Sequence, residues 1–444
     1  MLSRKKLGFG IIGLAVIALI YYFTTGSAQI TEEMKKHVNN ELATLEQNGF
    51  TVKNRETNEK EEHFVISFDD SGKIANYLNK KAAEVTKEDI ENMKGLKVGV
   101  DIAYLKDNYS AVSADIYPVA LPQKIEQSTD ANDRAAVAHI KKMMSDKKIL
   151  VHLDFNKLLD SFKGYMKDIN ETFQDEIPVR VIMQGLTFKG NVENEKLKSI
   201  RQTLKLLSLD AGKELNMKLS DLTSHYLFSG PSPYDTKSEY TVGSIEIKES
   251  SPASMQITGL QGKVTNRVVN NLLNSNITSK VDEIKLTEGQ KTYKLRDILF
   301  SFNLNNLDVA SLEALQTIDP EDEKAIQEIS QKILSKGIKM SIPDFSVKQI
   351  EENKTTMNGF KLDSSLQIDK SFNINSASGN PLAILTAFSG QSNLLISSEL
   401  FAVIAQDPRA MMFLMFFPPL EKKGQKSYEI QLEKGNLTVN GTSL

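Results

Sequence analysis

The chain has 444 residues, 40% hydrophobic and 25% charged, with a net charge of −3 at pH 7. This composition excludes a disordered tail, and the missing basic excess excludes nucleic acid as the main partner. There is no cysteine, which excludes disulfides, thiolate metal sites, a cysteine nucleophile and lipoprotein-type attachment, while the length suffices for two or three cores that need no staples.

Leu7 to Phe23 carries no charge, follows Arg4, Lys5 and Lys6, and continues through small uncharged residues to Ala28. A hydrocarbon layer of about 30 Å needs roughly 20 apolar residues, so the stretch is long enough to span as one helix. The basic residues before it place the amino terminus in the cytoplasm and the bulk outside. Gly26-Ser27-Ala28 also suits signal-peptide cleavage, which would leave the bulk free in the periplasm, but the apolar run is longer than a signal peptide needs. The expectation is an uncleaved inner-membrane anchor.

Thr31 then opens a helix with Met34, Val38, Leu42 and Leu45 on one stripe, ending at Gly49. Its narrow seam suits packing on its own domain, or a stalk that forms a homo-oligomer through Met34, Val38 and Leu42. Phe50–Arg55 and His63–Phe68 read as a hairpin, Ile74–Val85 as a helix, and Leu96–Tyr104 as a strand that Asp107-Asn108 turns back into Tyr109–Val119. A helix over 130–147 precedes a strand at Ile149–Phe155. Leu158, Phe162, Tyr165, Met166, Ile169 and Phe173 recur at intervals of three and four before Pro178, which predicts the best-defined helix of the chain.

Val179–Phe188, Leu204–Leu209 and Leu215–Leu219 read as strands, and the Ser229–Asp235 loop, with two prolines and a glycine, is the expected boundary. Beyond it come strands at Tyr240–Lys248, Ser254–Val264, Ile284–Leu286 and Leu295–Leu304. Asp319-Pro320-Glu321-Asp322-Glu323 lacks the calcium-loop pattern and reads as a helix start, with Asp319 as cap and Pro320 in the first turn. Strands at Ile338–Ile342, Phe345–Ile350 and Phe360–Ile368 follow. A hairpin of Tyr428–Leu432 and Leu437–Val439 closes the chain. The layout is 1–28 as basic tip and anchor, 29–230 as an α+β domain, and 239–444 as a strand-rich domain with an apolar C-terminal segment. The fold class expected is α+β: predominantly antiparallel sheet with packed helices, behind one transmembrane helix.

Neither a Gly-x-Ser-x-Gly elbow nor a phosphate-cradling glycine loop occurs, and the five histidines, at 37, 63, 139, 152 and 225, stand at no metal-ligand spacing. No catalytic residue, metal or cofactor is expected. The binding candidates are Phe401, Ile404, Met411, Met412, Phe413, Leu414, Met415, Phe416 and Phe417. Seven consecutive apolar residues leave no polar face on a helix, and such segments are ordinarily core. The alternatives are a membrane-contacting edge or a groove wall, where methionine and phenylalanine adapt to flexible apolar ligands such as acyl chains.

The order of anchor, helix, hairpin and strand-rich body, with Gly337-Ile338-Lys339-Met340-Ser341-Ile342-Pro343 and the ending Tyr428-Glu429-Ile430-Gln431-Leu432-Glu433-Lys434-Gly435-Asn436-Leu437-Thr438-Val439-Asn440-Gly441, resembles the YdgA-like family of Gram-negative envelope proteins. Asn58–His63 departs from the Arg-Gly-aromatic turn and serine pair of that family's first hairpin. The resemblance implies an inner-membrane anchor and a periplasmic body, and it supplies no catalytic residues. The function expected is a non-enzymatic envelope binding or scaffold module for lipid or an envelope protein; a periplasmic hydrolase and an oligomeric stalked assembly subunit are the alternatives.

Overall fold

The structure, a computed structural model, describes residues 32–80, 87–104, 109–127, 131–174, 177–193, 196–250, 253–318, 322–374 and 385–443. The anchor and cleavage expectations at residues 7–28 lie outside these residues. Among the described residues no helix is long and apolar enough to cross a membrane. Strand outweighs helix by 59% to 21%, so the expected α+β fold of packed helices behind a transmembrane helix is corrected to a mostly-β architecture of antiparallel strands. The strands run to as many as eighteen residues, as in Lys291–Asp308, with period-two stretches on either side of local reversals, and these outweigh the short helical stretches.

The chain forms two compact units, one through Leu227 and one from Phe228. In the first, α1 (Glu32–Gln47) leads into the hairpin β1 (Phe50–Thr57) and β2 (Glu61–Phe68). α2 (Ser71–Lys80) and α3 (Lys87–Asn92) precede β3 (Lys97–Tyr104) and β4 (Ser110–Ala120). A single turn, α4 (Gln123–Glu126), and α5 (Ala131–Ser145) lead to β5 (Val151–Asn156). Phe64, Ile66, Ile116 and Leu153 of the sheet, Leu42 and Leu45 of α1, Ile74 of α2 and Met143 of α5 close one sealed core. Leu42 and Leu45 of the α1 stripe are buried inside their own unit, with Val38 packed against the same core; the Met34 side chain lies outside the described atoms.

The predicted helix over 158–173 is instead β6 (Ser161–Met166), a corner at Lys167-Asp168, and β7 (Ile169–Phe173). A spacing of four satisfies a period of two as well as one of 3.6; of the two spacings of three, Met166 to Ile169 falls across the corner, and Phe162 to Tyr165 leaves Phe162 buried and Tyr165 exposed on β6. Likewise the strand predicted over Val179–Phe188 is broken at Gly185, φ +67°, into β8 (Val179–Gln184) and β9 (Thr187–Glu193). Both pair with the long β10 (Lys196–Asp210), which pairs with β11 (Leu215–Phe228). Close approach is required at Gly164 and Gly190, where a Cβ would lie 2.5 Å from the Phe188 ring and 2.4 Å from the Phe162 ring. Each aromatic covers the glycine opposite it, as cross-strand pairs do.

The second unit is a meander: β12 (Thr236–Glu249), β13 (Ala253–Val269), β14 (Leu272–Glu288), β15 (Lys291–Asp308), β16 (Lys339–Glu352), β17 (Thr355–Ile368) and β18 (Phe388–Ser397), each antiparallel to the next. Then β20 (Gln425–Glu433) pairs with β18, with β19 (Leu420–Lys422) and with β21 (Asn436–Val439). Between β15 and β16 lie α6 (Val309–Thr317) and α7 (Glu323–Leu334). The cap of α7 is Asp322, whose carboxylate accepts from the Ala325 N–H at 3.0 Å, not the expected Asp319, which with Pro320 lies outside the described residues. Gly337, φ +75°, follows its end. Between β18 and β19 lie α8 (Ser398–Ile404) and α9 (Pro408–Phe416).

Candidate functional site

In the second unit the strand alternation builds two unlike faces. One carries ion pairs: Lys294 to Glu351 at 2.8 Å, and Arg296 to Glu283 at 2.7 Å and to Glu351 at 3.0 Å. The hydrogen bond from Lys294, with Arg296 beside it, holds the Glu351 carboxyl below its ordinary value. The other face is apolar. Val281 faces Ile298, Ile298 faces Val347 and Val347 faces Phe360. One row over, Phe300 faces Phe345, Phe345 faces Leu362 and Leu394 faces Tyr428. The Phe345 ring meets Phe300 at 5.9 Å and Phe360 at 5.3 Å between centroids, both edge to face.

A left-handed residue keeps this face continuous. In β13 and β15 the apolar positions switch from odd to even across Gly259, φ +65°, and Asp297, φ +51°. A regular pleat would send the two halves to opposite sides, and one left-handed residue reverses the alternation as the residue of a bulge does. The switch is in register: Ile284 pairs with Leu295 and Val281 with Ile298, then Leu295 with Ile350 and Ile298 with Val347. Apolar residues therefore meet on both sides of the line.

Part of this face is covered, with Val347 and Tyr428 buried, and part is open. Ile298, Phe300, Phe302, Phe345, Phe360 and Leu362 are all partly exposed, whereas Phe64 and Ile116 of the first unit are fully buried. A shallow concavity of about 610 Å³ has Met340, Leu366 and Leu432 among a mostly polar lining that includes Lys339, Gln391 and Glu433.

The residues singled out from sequence lie on α8 and α9. Phe401 is half-buried with the Lys426 ammonium 5.6 Å over its ring, and Ile404 is exposed. On α9, Met411 is 51%, Met412 64%, Met415 83% and Phe416 71% exposed. The expectation of buried core is thus reversed: α9 projects its apolar side. Leu414 and Phe417 are half-buried, and the Phe413 side chain lies outside the described atoms. None of these residues lines the Met340–Leu432 concavity.

Sequence reading missed a cross-strand row in the first unit, because only the register reveals it. His63 faces Asp101, Asp101 faces Asp115, and Asp115 faces His152. His63 Nδ1 lies 2.6 Å from Asp101, which also accepts from Lys147 at 2.8 Å and from the Tyr117 hydroxyl at 3.0 Å. Burial raises the Asp101 carboxyl, but these three hydrogen bonds together with the Lys147 charge bring it below its ordinary value. His152 bridges Asp115 at 2.6 Å and Asp154 at 3.2 Å. The Ser113 hydroxyl donates to Asp154 at 2.5 Å, so Ser113 is paired with a carboxylate and not with the histidine that nucleophile activation requires. Among the described residues no group of three or more metal-ligating side chains is placed to hold an ion. Comparisons with protein-family models, with curated proteins and with solved structures returned no match.

Proposed function

We propose that this chain is a non-enzymatic binding protein of the bacterial envelope, tethered to the inner membrane by Leu7–Phe23, whose apolar sheet face holds the acyl chain of a lipid. The observation that carries this reading is the partly exposed apolar face of β14–β18. Ile298, Phe300, Phe345 and Phe360 occupy positions that a core would cover, and an open apolar surface of this extent marks a place where something binds. Its charges are segregated to the other face, so the apolar side suits the hydrocarbon part of a ligand. The basic residues before Leu7 and the likeness of the C-terminal hairpin to the YdgA-like family support an exported body close to the membrane.

Photocrosslinking tests it. Full-length protein in vesicles containing a diazirine fatty acid is irradiated and the adducts are mapped by peptide mass spectrometry. Adducts on β14–β18 that are lost in Phe345→Asp are expected. Adducts confined to residues 7–23, or unchanged in that variant, overturn the reading.

A further inference from the structure

In the first unit His152 is the buried member of the cross-strand row, 9% exposed, while Asp115 and Asp154 beside it are half-buried. Both of its ring nitrogens face carboxylates. Nδ1 lies 2.6 Å from Asp115 Oδ1 on β4, and Nε2 lies 3.2 Å from Asp154 Oδ1 on β5 itself. A neutral imidazole has one N–H and one lone pair, so it can donate to one of these oxygens and must turn its lone pair on the other. The imidazolium donates to both. Asp154 is an acceptor here and not a carboxylic acid, since its Oδ1 also accepts from the Ser113 hydroxyl at 2.5 Å, the length of a charge-assisted bond.

The other charged groups around the ring leave this task to it. Asp115 faces Asp101 directly across the β3–β4 pair, and like charges so placed repel. Asp101 has Lys147 at 2.8 Å, the Tyr117 hydroxyl at 3.0 Å and His63 at 2.6 Å. Lys148, also just before β5, is paired with Glu171. Lys163 of β6 stands opposite Asp154 in register, yet its ammonium lies 4.2 Å from the centroid of the Tyr109 ring, and Tyr165, opposite His152, puts its phenol ring 5.1 Å away. Among the described residues no lysine or arginine makes an ion pair with Asp115 or Asp154. We propose that His152 is held as an imidazolium through neutral pH and acts as a pH-operated clasp, joining β4 to β5 while it keeps its second proton and releasing them when alkaline pH removes it. Burial alone would strip an imidazole of its charge, and two carboxylates at hydrogen-bond distance outweigh it. The fold then binds this proton more tightly than the unfolded chain. Its stabilisation is complete below the ordinary imidazole value of about 6.5 and is lost as pH rises through the folded one. Ile116 and Leu153, next to the paired residues on the two strands, are fully buried, so the release loosens the sealed core and not a surface loop.

Full-length protein carrying isotope-labelled histidine is reconstituted in phosphatidylcholine vesicles, and its ring nitrogens are read by solid-state NMR. The His152 signals are identified by their loss in His152→Gln and, independently, by their shift in Asp154→Asn. At about pH 7.5, where an ordinary imidazole is roughly nine-tenths neutral, both His152 nitrogens are expected to be protonated, and in Asp154→Asn one of them is expected to have lost its proton. A neutral ring in the parent, or an imidazolium that Asp154→Asn leaves unchanged, overturns the proposal. Urea midpoints of the first unit, from hydrogen exchange on β4 and β5 peptides between about pH 6.5 and about pH 9, test the release. The parent midpoint is expected to fall on the alkaline side and that of His152→Gln to fall less, whereas parallel alkaline limbs overturn the clasp.

Discussion

Replacing isoleucine by alanine at two mid-strand positions separates a sealed core from an open apolar face. Ile116 of β4 is fully buried, whereas Ile298 of β15 is partly exposed. The substitution removes three carbons at about 0.8 kcal/mol per buried methylene. At Ile116 a residual cavity adds to that transfer term, giving about 4 kcal/mol. At Ile298 part of the side chain already meets solvent and no closed cavity forms, leaving about 1 kcal/mol. The chain has no tryptophan and two units, so one global transition is a poor readout. Hydrogen exchange across a urea series, followed by mass spectrometry on peptides from β4 and β15, gives a midpoint for each unit. A loss at Ile298 as large as that at Ile116 would mean that the sheet face is covered core, and the binding reading would fail with it.

Gly190→Ala is expected to destabilise the first unit by about 1–3 kcal/mol, the range for overpacking. Its Cβ would lie 2.4 Å from Phe162 Cζ and 2.6 Å from the Ser199 carbonyl oxygen, so both ring and backbone must move. The β9 exchange midpoint measures this, and an unchanged value refutes the close-approach account. Glu171 supplies a pH dependence. The Lys148 ammonium at 2.5 Å, with His139 at 3.0 Å, holds its carboxyl below the ordinary 4.5. A lowered folded pKa gives stability that is present above the unfolded value and lost as pH falls through the folded one. Urea midpoints of the first unit measured from pH 7 down to pH 3 should therefore fall less steeply below about pH 4.5 in Glu171→Gln than in the parent, and parallel acid limbs would remove the pair from the account.

Legibility in the sequence followed the range of the interactions. The hairpin of β1 and β2 and the strand β3 are set by neighbours: Phe64, Ile66 and Phe68 recur at every second position, and pairing then places Val52 opposite Ile66. α1 was equally local, because Leu42 and Leu45 need only a face to bury. Three features were not local. The His63–Asp101–Asp115–His152 row exists only through the registers of three strand pairs. The exposure of Met411, Met412, Met415 and Phe416 contradicts the ordinary fate of an all-apolar segment, and no residue within the segment announces it. The helix predicted over 158–173 failed at Gly164 and Lys167-Asp168, where glycine and a corner residue pair outweigh a spacing that two periods share.

That failure carries more than its own correction. The spacing of three that imitates a helix between Met166 and Ile169 recurs at Leu204 and Leu207, Leu219 and Leu222, Val242 and Ile245, Ile257 and Leu260, Val281 and Ile284, Leu295 and Ile298, Val347 and Ile350, and Met357 and Phe360. Most of these strands otherwise alternate, and β15 repeats the step at Leu304 and Leu307, β16 at Ile342 and Phe345, and β10 at Leu197 and Ile200. In a lone strand such a step turns the apolar side to solvent. In neighbouring strands the steps coincide: Leu204 pairs with Leu222 and Leu207 with Leu219, Val242 with Leu260 and Ile245 with Ile257, Val347 with Phe360 and Ile350 with Met357. The residue between is left-handed at Asp221, Gly259 and Asp297. Within each unit, then, the chain restores one apolar side after every interruption. A sheet with no use for a long uninterrupted apolar side could let the pleat carry these residues to either face. The repeated, aligned reversal is the feature that the proposed acyl-chain surface requires of the second unit.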